Sequence, residues 1–259
     1  MVRTNARANL FPGLPVSLLV CVCGGLLWAD TSPAQTDPAN QVRVLIVTGE
    51  DYKGHKWQET TPALKTQLEK NSLLVVEVLD DLKQLSVFAL SDYDVVVMHF
   101  KNYDAEVPGR KGFDNLARFV HEGGGLVLVH FACGAFQEFR DDFVKLAGRA
   151  WNPDLRGHDP YGSFQVEIAN ANHPITRGMK PFETTDELYT CLDGDQPIEV
   201  LATARSKVDD KTYPIAFVLP YGKGRVFHCV LGHSVEGFQS AEVGTLFRRA
   251  CQWTAGKLE

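Results

Sequence analysis

The sequence predicts an α/β fold built on a single doubly wound, mostly parallel sheet, with antiparallel strands added in the C-terminal half. Three observations lead there. Apolar runs are continuous rather than alternating, as in Val95-Val-Val-Met98 and Leu126-Val-Leu-Val129, and strands covered on both faces read this way. Segments with helical spacing separate the runs, as crossover helices separate parallel strands. Glycines mark the boundaries, above all Gly123-Gly-Gly125 ahead of the run that ends at His130.

In order, Val42–Thr48 is the first expected strand and Trp57–Lys70 the first helix, its regular part starting near Thr61 so that Pro62 falls in the first turn. Leu73–Leu79 and Tyr93–Phe100 read as strands, with a short helix or turn at Leu85–Ala89 between them. Helices are expected over Gly112–Glu122 and Phe136–Leu146, on either side of the strand Leu126–Val129. Trp151–Tyr161 is an irregular loop, longer than an ordinary connection and so suited to a lid. Ser163–Ile168 and Ile198–Thr203 read as strands, and Tyr213–Leu219 with Arg225–Leu231 as a hairpin. Gly232–Gly237 is a loop and Val243–Trp253 the closing helix.

The N-terminus has a different character. Arg3 and Arg7 precede an apolar run from Leu14 to Trp28, and Ser32-Pro-Ala34 offers small residues for cleavage. This predicts an export signal over residues 1–34, a polar tail over 35–41 and one domain over 42–255 in a periplasmic or secreted protein, free of the membrane once cleaved. A domain of roughly 220 residues buries a sizeable core without disulfides. Cys133, Cys191, Cys229 and Cys251 are widely spaced and form no zinc knuckle, though one bridge is compatible with export. The net charge of -6, without a Lys/Arg cluster, argues against nucleic acid. No phosphate-binding glycine loop is present, so no nucleotide cofactor is expected. The oligomeric state is not legible.

In an open α/β sheet ligands bind beyond the carboxyl ends of the strands. His130 stands there, as a candidate acid, base or metal ligand. His55 follows the first strand and His233 follows Gly232; His158 lies in the lid, and Glu187, with Asp186 as its alternative, precedes Leu188-Tyr189. His130, Glu187 and His55 are the catalytic candidates. His130, His158, His233 and Glu187 are the candidate ligands of a divalent metal such as zinc, although none has a tight ligand spacing. Trp151, Tyr161 and Tyr189 are candidate substrate-binding aromatics. His99 is either at the crevice or a buried structural residue, His228 reads as structural, and His173 shapes a turn. Cys133 suggests a thiol nucleophile, but no Gly-x-Cys-x-Gly elbow surrounds it, and small buried cysteines are common.

Several motifs occur together in order: Gly123-Gly-Gly-Leu-Val-Leu-Val-His130, Leu146-Ala-Gly148 with Arg156-Gly-His158, His173-Pro-Ile-Thr176, Asp186-Glu-Leu-Tyr189, and Gly222-Lys-Gly-Arg-Val-Phe227 with Leu231-Gly-His233. From about Val42 to Trp253 the chain resembles the trehalose-utilisation (ThuA-like) family. The resemblance implies a class I glutamine amidotransferase-like (flavodoxin-like) scaffold. His130 stands in or beside the position of that scaffold's nucleophilic cysteine, and its paired His and Glu are not recognisable, which argues against glutamine hydrolysis. The family's histidines match His55, His130, His158 and His233, and its acidic position matches Glu187. The resemblance further implies a metal-assisted lyase, isomerase or hydrolase acting on 3-keto-glycosides. The alternatives are a non-catalytic sugar-binding protein and a thiol hydrolase using Cys133.

Overall fold

The computed structural model describes residues 13, 40–50 and 53–259. The expected export signal and most of the polar tail lie outside the described residues. The described residues from Asn40 to Glu259 belong to one unit. Its first half contains β1 (Val42–Val47), α1 (Trp57–Glu69), β2 (Leu74–Leu79), β3 (Val95–Met98), α2 (Gly109–Glu122), β4 (Gly125–Val129) and α3 (Arg140–Ala147). The second half adds β5 (Ala150–Trp151), β6 (Gly162–Ile168), β7 (Phe182–Asp186), β8 (Leu192–Asp193), β9 (Glu199–Arg205), β10 (Thr212–Tyr221), β11 (Gly224–Cys229), α4 (Val235–Gln239) and α5 (Ala241–Thr254). Among the described residues no helix is long and apolar enough to cross a membrane.

The main sheet has the order β2-β1-β3-β4-β11-β10-β9-β6-β7, and β5 pairs with β8 apart from it. Strands β2, β1, β3, β4 and β11 are mutually parallel. Alternate residues of these strands face two separate cores. Val44, Ile46, Val127 and Val129 pack with Leu64 and Leu68 of α1 and Phe247 of α5. Leu45, Val47, Leu126 and Leu128 pack with Phe113 and Leu116 of α2 and Phe143 of α3. Burial on both faces is why these strands read as continuous apolar runs.

Three boundaries differ from expectation. Helix α1 starts at Trp57, because the N–H groups of Glu59 and Thr60 already bond to Lys56 O and close a turn before Pro62. Helix α3 starts at Arg140 rather than Phe136, because Phe136 is left-handed (φ 52) and the chain from His130 runs through short 3-10 turns. The loop after Gly232 contains α4, begun by Ser234, whose side chain accepts a hydrogen bond from Gly237 N.

The topology decides where the site forms. The parallel strands bring the carboxyl ends of β1, β4 and β11 to one side of the sheet. From β11 onward β10, β9, β6 and β7 reverse direction at each step, so β7 again runs with β11. The end of β7, at Asp186, therefore lies on that same side.

Candidate active site

His130 is the first residue after β4, and it is left-handed (φ 48) and fully buried. Left-handed backbone is uncommon outside glycine and persists where surrounding structure enforces it. Here the enforcement is visible: His130 Nδ1 lies 2.7 Å from the carbonyl oxygen of Val230, just past β11. A carbonyl only accepts, so Nδ1 carries the proton and Nε2 of the neutral ring offers its lone pair. Tyr189, also buried, donates its hydroxyl to that Nε2 at 2.8 Å.

Glu187 and His233 close on the same atom. His233 Nδ1 is 3.2 Å from His130 Nε2 and 3.2 Å from Glu187 Oε2, and Glu187 Oε2 is 3.6 Å from His130 Nε2. Ligand atoms around a tetrahedral ion at roughly 2.0–2.1 Å stand about 3.3 Å apart. His55 is the fourth member: one ligand atom from each of His55, His130, Glu187 and His233 lies within 4.8 Å of all the others. His55 comes from the loop after β1 and stacks on Phe131, with centroids 4.4 Å apart and planes 13° apart. Nδ1 of His130 bonded to a carbonyl, with Nε2 turned inward, is the arrangement that orients histidine ligands in metalloproteins. These four side chains therefore have the spacing and chemistry to hold a divalent ion.

Electrostatics couples the group. Burial, reinforced by the neighbouring His130 and His233, drives the His55 pKa down to about 2 and favours its neutral, metal-ligating form. Burial opposes ionisation of Glu187, but the hydrogen bond from His233 and the nearby His130 ring outweigh it and hold the carboxyl below its usual range. For His233, burial is likewise outweighed, and Glu187 then Asp186 raise its pKa. Asp186, fully buried, accepts N–H bonds from Glu187 (2.8 Å), Gly232 (2.7 Å) and His233 (3.2 Å). One carboxylate thus joins the end of β7 to the segment after β11, although β10, β9 and β6 lie between them in the sheet.

The structure brings together His130, His233 and Glu187 of the expected ligand set and adds His55, but leaves His158 outside the four. The pairing of its loop explains this. His158 pairs with Tyr189 as in a β-bridge, with Asp159 N bonded to Leu188 O and Thr190 N to Gly157 O. Held there, His158 Nε2 faces the other Glu187 oxygen, Oε1, at 3.7 Å. Its Nδ1 donates to Asp159 O at 2.8 Å, which leaves a lone pair on Nε2 of the neutral ring. The loop is itself anchored, since Arg156 and Asp159 pair with each other and Asp159 accepts from Ser206 Oγ at 2.8 Å and Lys207 N at 2.8 Å.

His55, Glu187 and His233 line a cavity of about 290 Å³, with His130 buried behind them; Lys101, Tyr103, Trp151, His158 and Tyr189 are among its other walls. Trp151 lies in β5 rather than in the irregular loop, because it pairs there with Leu192. A second cavity of about 650 Å³ shares Glu187 and His233 and is bordered by Tyr161. The Tyr161 hydroxyl lies 3.0 Å from Ser234 Oγ and donates to Glu236 at 3.1 Å. His99 is fully buried against Thr60 and Thr61, where burial drives its pKa down to about 3. His228 is fully buried with Nδ1 bonded to Ala147 O. Cys133, Cys191, Cys229 and Cys251 are free and buried, and burial pushes the Cys133 thiol well above its ordinary range. Lys101, Tyr103 and Phe131 escaped the sequence reading. Their signal was position, since Lys101 stands just past β3 and Phe131 directly follows His130.

The family model for trehalose utilisation, ThuA, matches residues 43–254. Among solved structures, a ThuA-like protein from Parabacteroides merdae shares 23% identity and a TM-score of 0.74, the alignment covering 84% of this chain and 91% of that one. A ThuA-like protein from Bacteroides uniformis gives 21% identity and a TM-score of 0.69, over 86% of this chain and 95% of that one. A glutamine amidotransferase from Thermotoga maritima is similar in fold, with 13% identity and a TM-score of 0.51 over 83% of this chain and 98% of that one. No curated protein matches the chain. The matched family model spans nearly all of the domain, from the second residue of β1 to the last of α5, and the chain belongs to the ThuA trehalose-utilisation family.

Proposed function

We propose that the protein is a carbohydrate-active enzyme that cleaves or rearranges 3-keto-glycosides by removing the proton beside the keto group. The observation that carries this reading is the convergence of His55, His130, Glu187 and His233, three of which, His55, Glu187 and His233, line a cavity with aromatic sides. Family membership supports a role in carbohydrate utilisation. His55, His130, Glu187 and His233 would hold a divalent metal such as zinc. When bound, such an ion supplies a Lewis acid for sugar oxygens and stabilises the charge left by proton removal. A carbonyl at C3 acidifies the C2 proton, and His158 Nε2, oriented by Asp159 O, is the base offered to it. Trp151 offers a ring face for the sugar, and the Val230 carbonyl holds His130 with Nε2 toward His233 and Glu187, where a metal would take the lone pair in place of the Tyr189 hydroxyl. The export signal expected over residues 1–34 supports a site of action outside the cytoplasm.

Incubation of the purified protein with 3-keto-trehalose tests the reading. Product formation is expected with divalent metal, is lost on adding a chelator and returns when metal is restored. Absence of conversion under every metal supply overturns the proposal. The same assay separates the thiol alternative. Cys133→Ala is expected to retain turnover within about twofold, because a buried thiol with a raised pKa supplies little thiolate. A loss of more than tenfold, in a variant that melts like the parent, would restore the thiol reading.

A further inference from the structure

We propose that Lys101 selects substrates bearing an anionic group, so that the enzyme acts on the glycoside of a sugar acid in preference to that of a neutral sugar; this rests on the keto-glycoside reading above. Lys101 lines the same cavity as His55, His158, Glu187 and His233. Its stem has a prepared place. A Cβ on Gly134 would stand 3.0 Å from Lys101 Cδ and 3.3 Å from Cε, so the missing side chain leaves the groove in which the lysine lies. The ammonium is held over two rings, 5.0 Å from the centroid of Tyr103 and 5.9 Å from that of Trp151. Ring faces attract a cation but do not neutralise its charge.

No carboxylate does so either. Among the described residues no Asp or Glu lies within ion-pair distance of Lys101 Nζ. Glu50 and Glu138, bonded to the residues that follow Lys101, accept instead from Tyr103 N at 3.3 Å and Asn102 Nδ2 at 2.8 Å. Among the described residues lining the cavity Glu187 is the one acid, and it lies against His130 and His233. The candidate site thus carries a cation that has no carboxylate partner among the described residues. Sugar hydroxyls accept hydrogen bonds from an ammonium but leave its charge unmatched. A carboxylate on the sugar forms a charge-assisted pair, which is stronger and is drawn in by the local positive field.

The test compares kcat/KM for methyl 3-keto-glucoside and methyl 3-keto-glucuronide, with divalent metal supplied to the full chain. The parent is expected to favour the acid by at least about tenfold at low salt, the margin narrowing as salt rises. Lys101→Met should bring the ratio to about one by losing the acid alone, while Lys101→Arg should keep most of the preference. Thermal melts establish that both variants fold. Equal handling of the two glycosides by the parent, or an acid preference that survives in Lys101→Met, overturns the inference and leaves the keto-glycoside reading standing. Turnover of neither glycoside overturns that reading. Calorimetric binding then decides on Lys101: glucuronate bound more tightly than glucose, with the difference lost in Lys101→Met, supports it, and any other pattern overturns it.

Discussion

Replacing His130 with asparagine is expected to lower divalent-metal affinity by at least about a hundredfold and 3-keto-glycoside turnover by about a thousandfold, at a stability cost of only about 1–2 kcal/mol. The small stability cost follows from the backbone. His130 is left-handed at φ 48, and after glycine asparagine is among the residues that best tolerate that conformation. The large functional cost follows from the Nε2 lone pair. His233 Nδ1, Glu187 Oε2 and the Tyr189 hydroxyl all lie within 3.6 Å of this atom, so its loss removes the point on which the group converges. Titration calorimetry with zinc, thermal melting and steady-state rates measure the three quantities. Unchanged metal affinity in a folded variant would remove His130 from the ligand set. The variant also separates catalysis from mere recognition, since a sugar-binding protein would lose affinity and have no rate to lose.

The parallel half of the fold was legible because two-sided burial imposes continuous apolar runs, and Val95–Met98 and Leu126–Val129 show them undiluted. Boundaries were misread where tertiary bonds override local signals, as at Phe136, whose apolar spacing with Phe139 and Phe143 suggested helix although its backbone is left-handed. In the site, residues at the ends of parallel strands or in the loops after them were legible, because topology alone assigns them an address. This covers His55, His130 and His233. His158 could be named but not placed, because its position depends on a bridge to Tyr189. Asp186 could not be separated from Glu187 by sequence, since the two are adjacent acids ahead of Leu188-Tyr189. Only the structure shows that one faces the cavity while the other is buried against backbone N–H groups.

That division of labour sets the second large effect. Asp186→Ala is expected to destabilise the domain by about 3–5 kcal/mol, a large share of the roughly 5–15 kcal/mol that holds a domain folded. The substitution strands three N–H groups, those of Glu187, Gly232 and His233, the first two in bonds of 2.8 and 2.7 Å. No water reaches the fully buried carboxylate they now share. Burial raises the pKa of Asp186, against the lowering by His130 and by these N–H bonds, so its value lies in accepting them and not in its charge alone. Asp186→Asn separates the two contributions. It keeps the volume and one acceptor but presents an amide N–H₂ where an acceptor is needed, so about half of the loss is expected. Urea unfolding measures both: the midpoint should fall in the order parent, Asn, Ala with the slope unchanged. Zinc affinity should fall with it by about 10–100-fold, because Glu187 and His233 lose the bond that fixes their separation across β10, β9 and β6. An Asp186→Ala variant as stable as the parent would show that the strand ends meet without this carboxylate, and the account of how Glu187 reaches His233 would then fail.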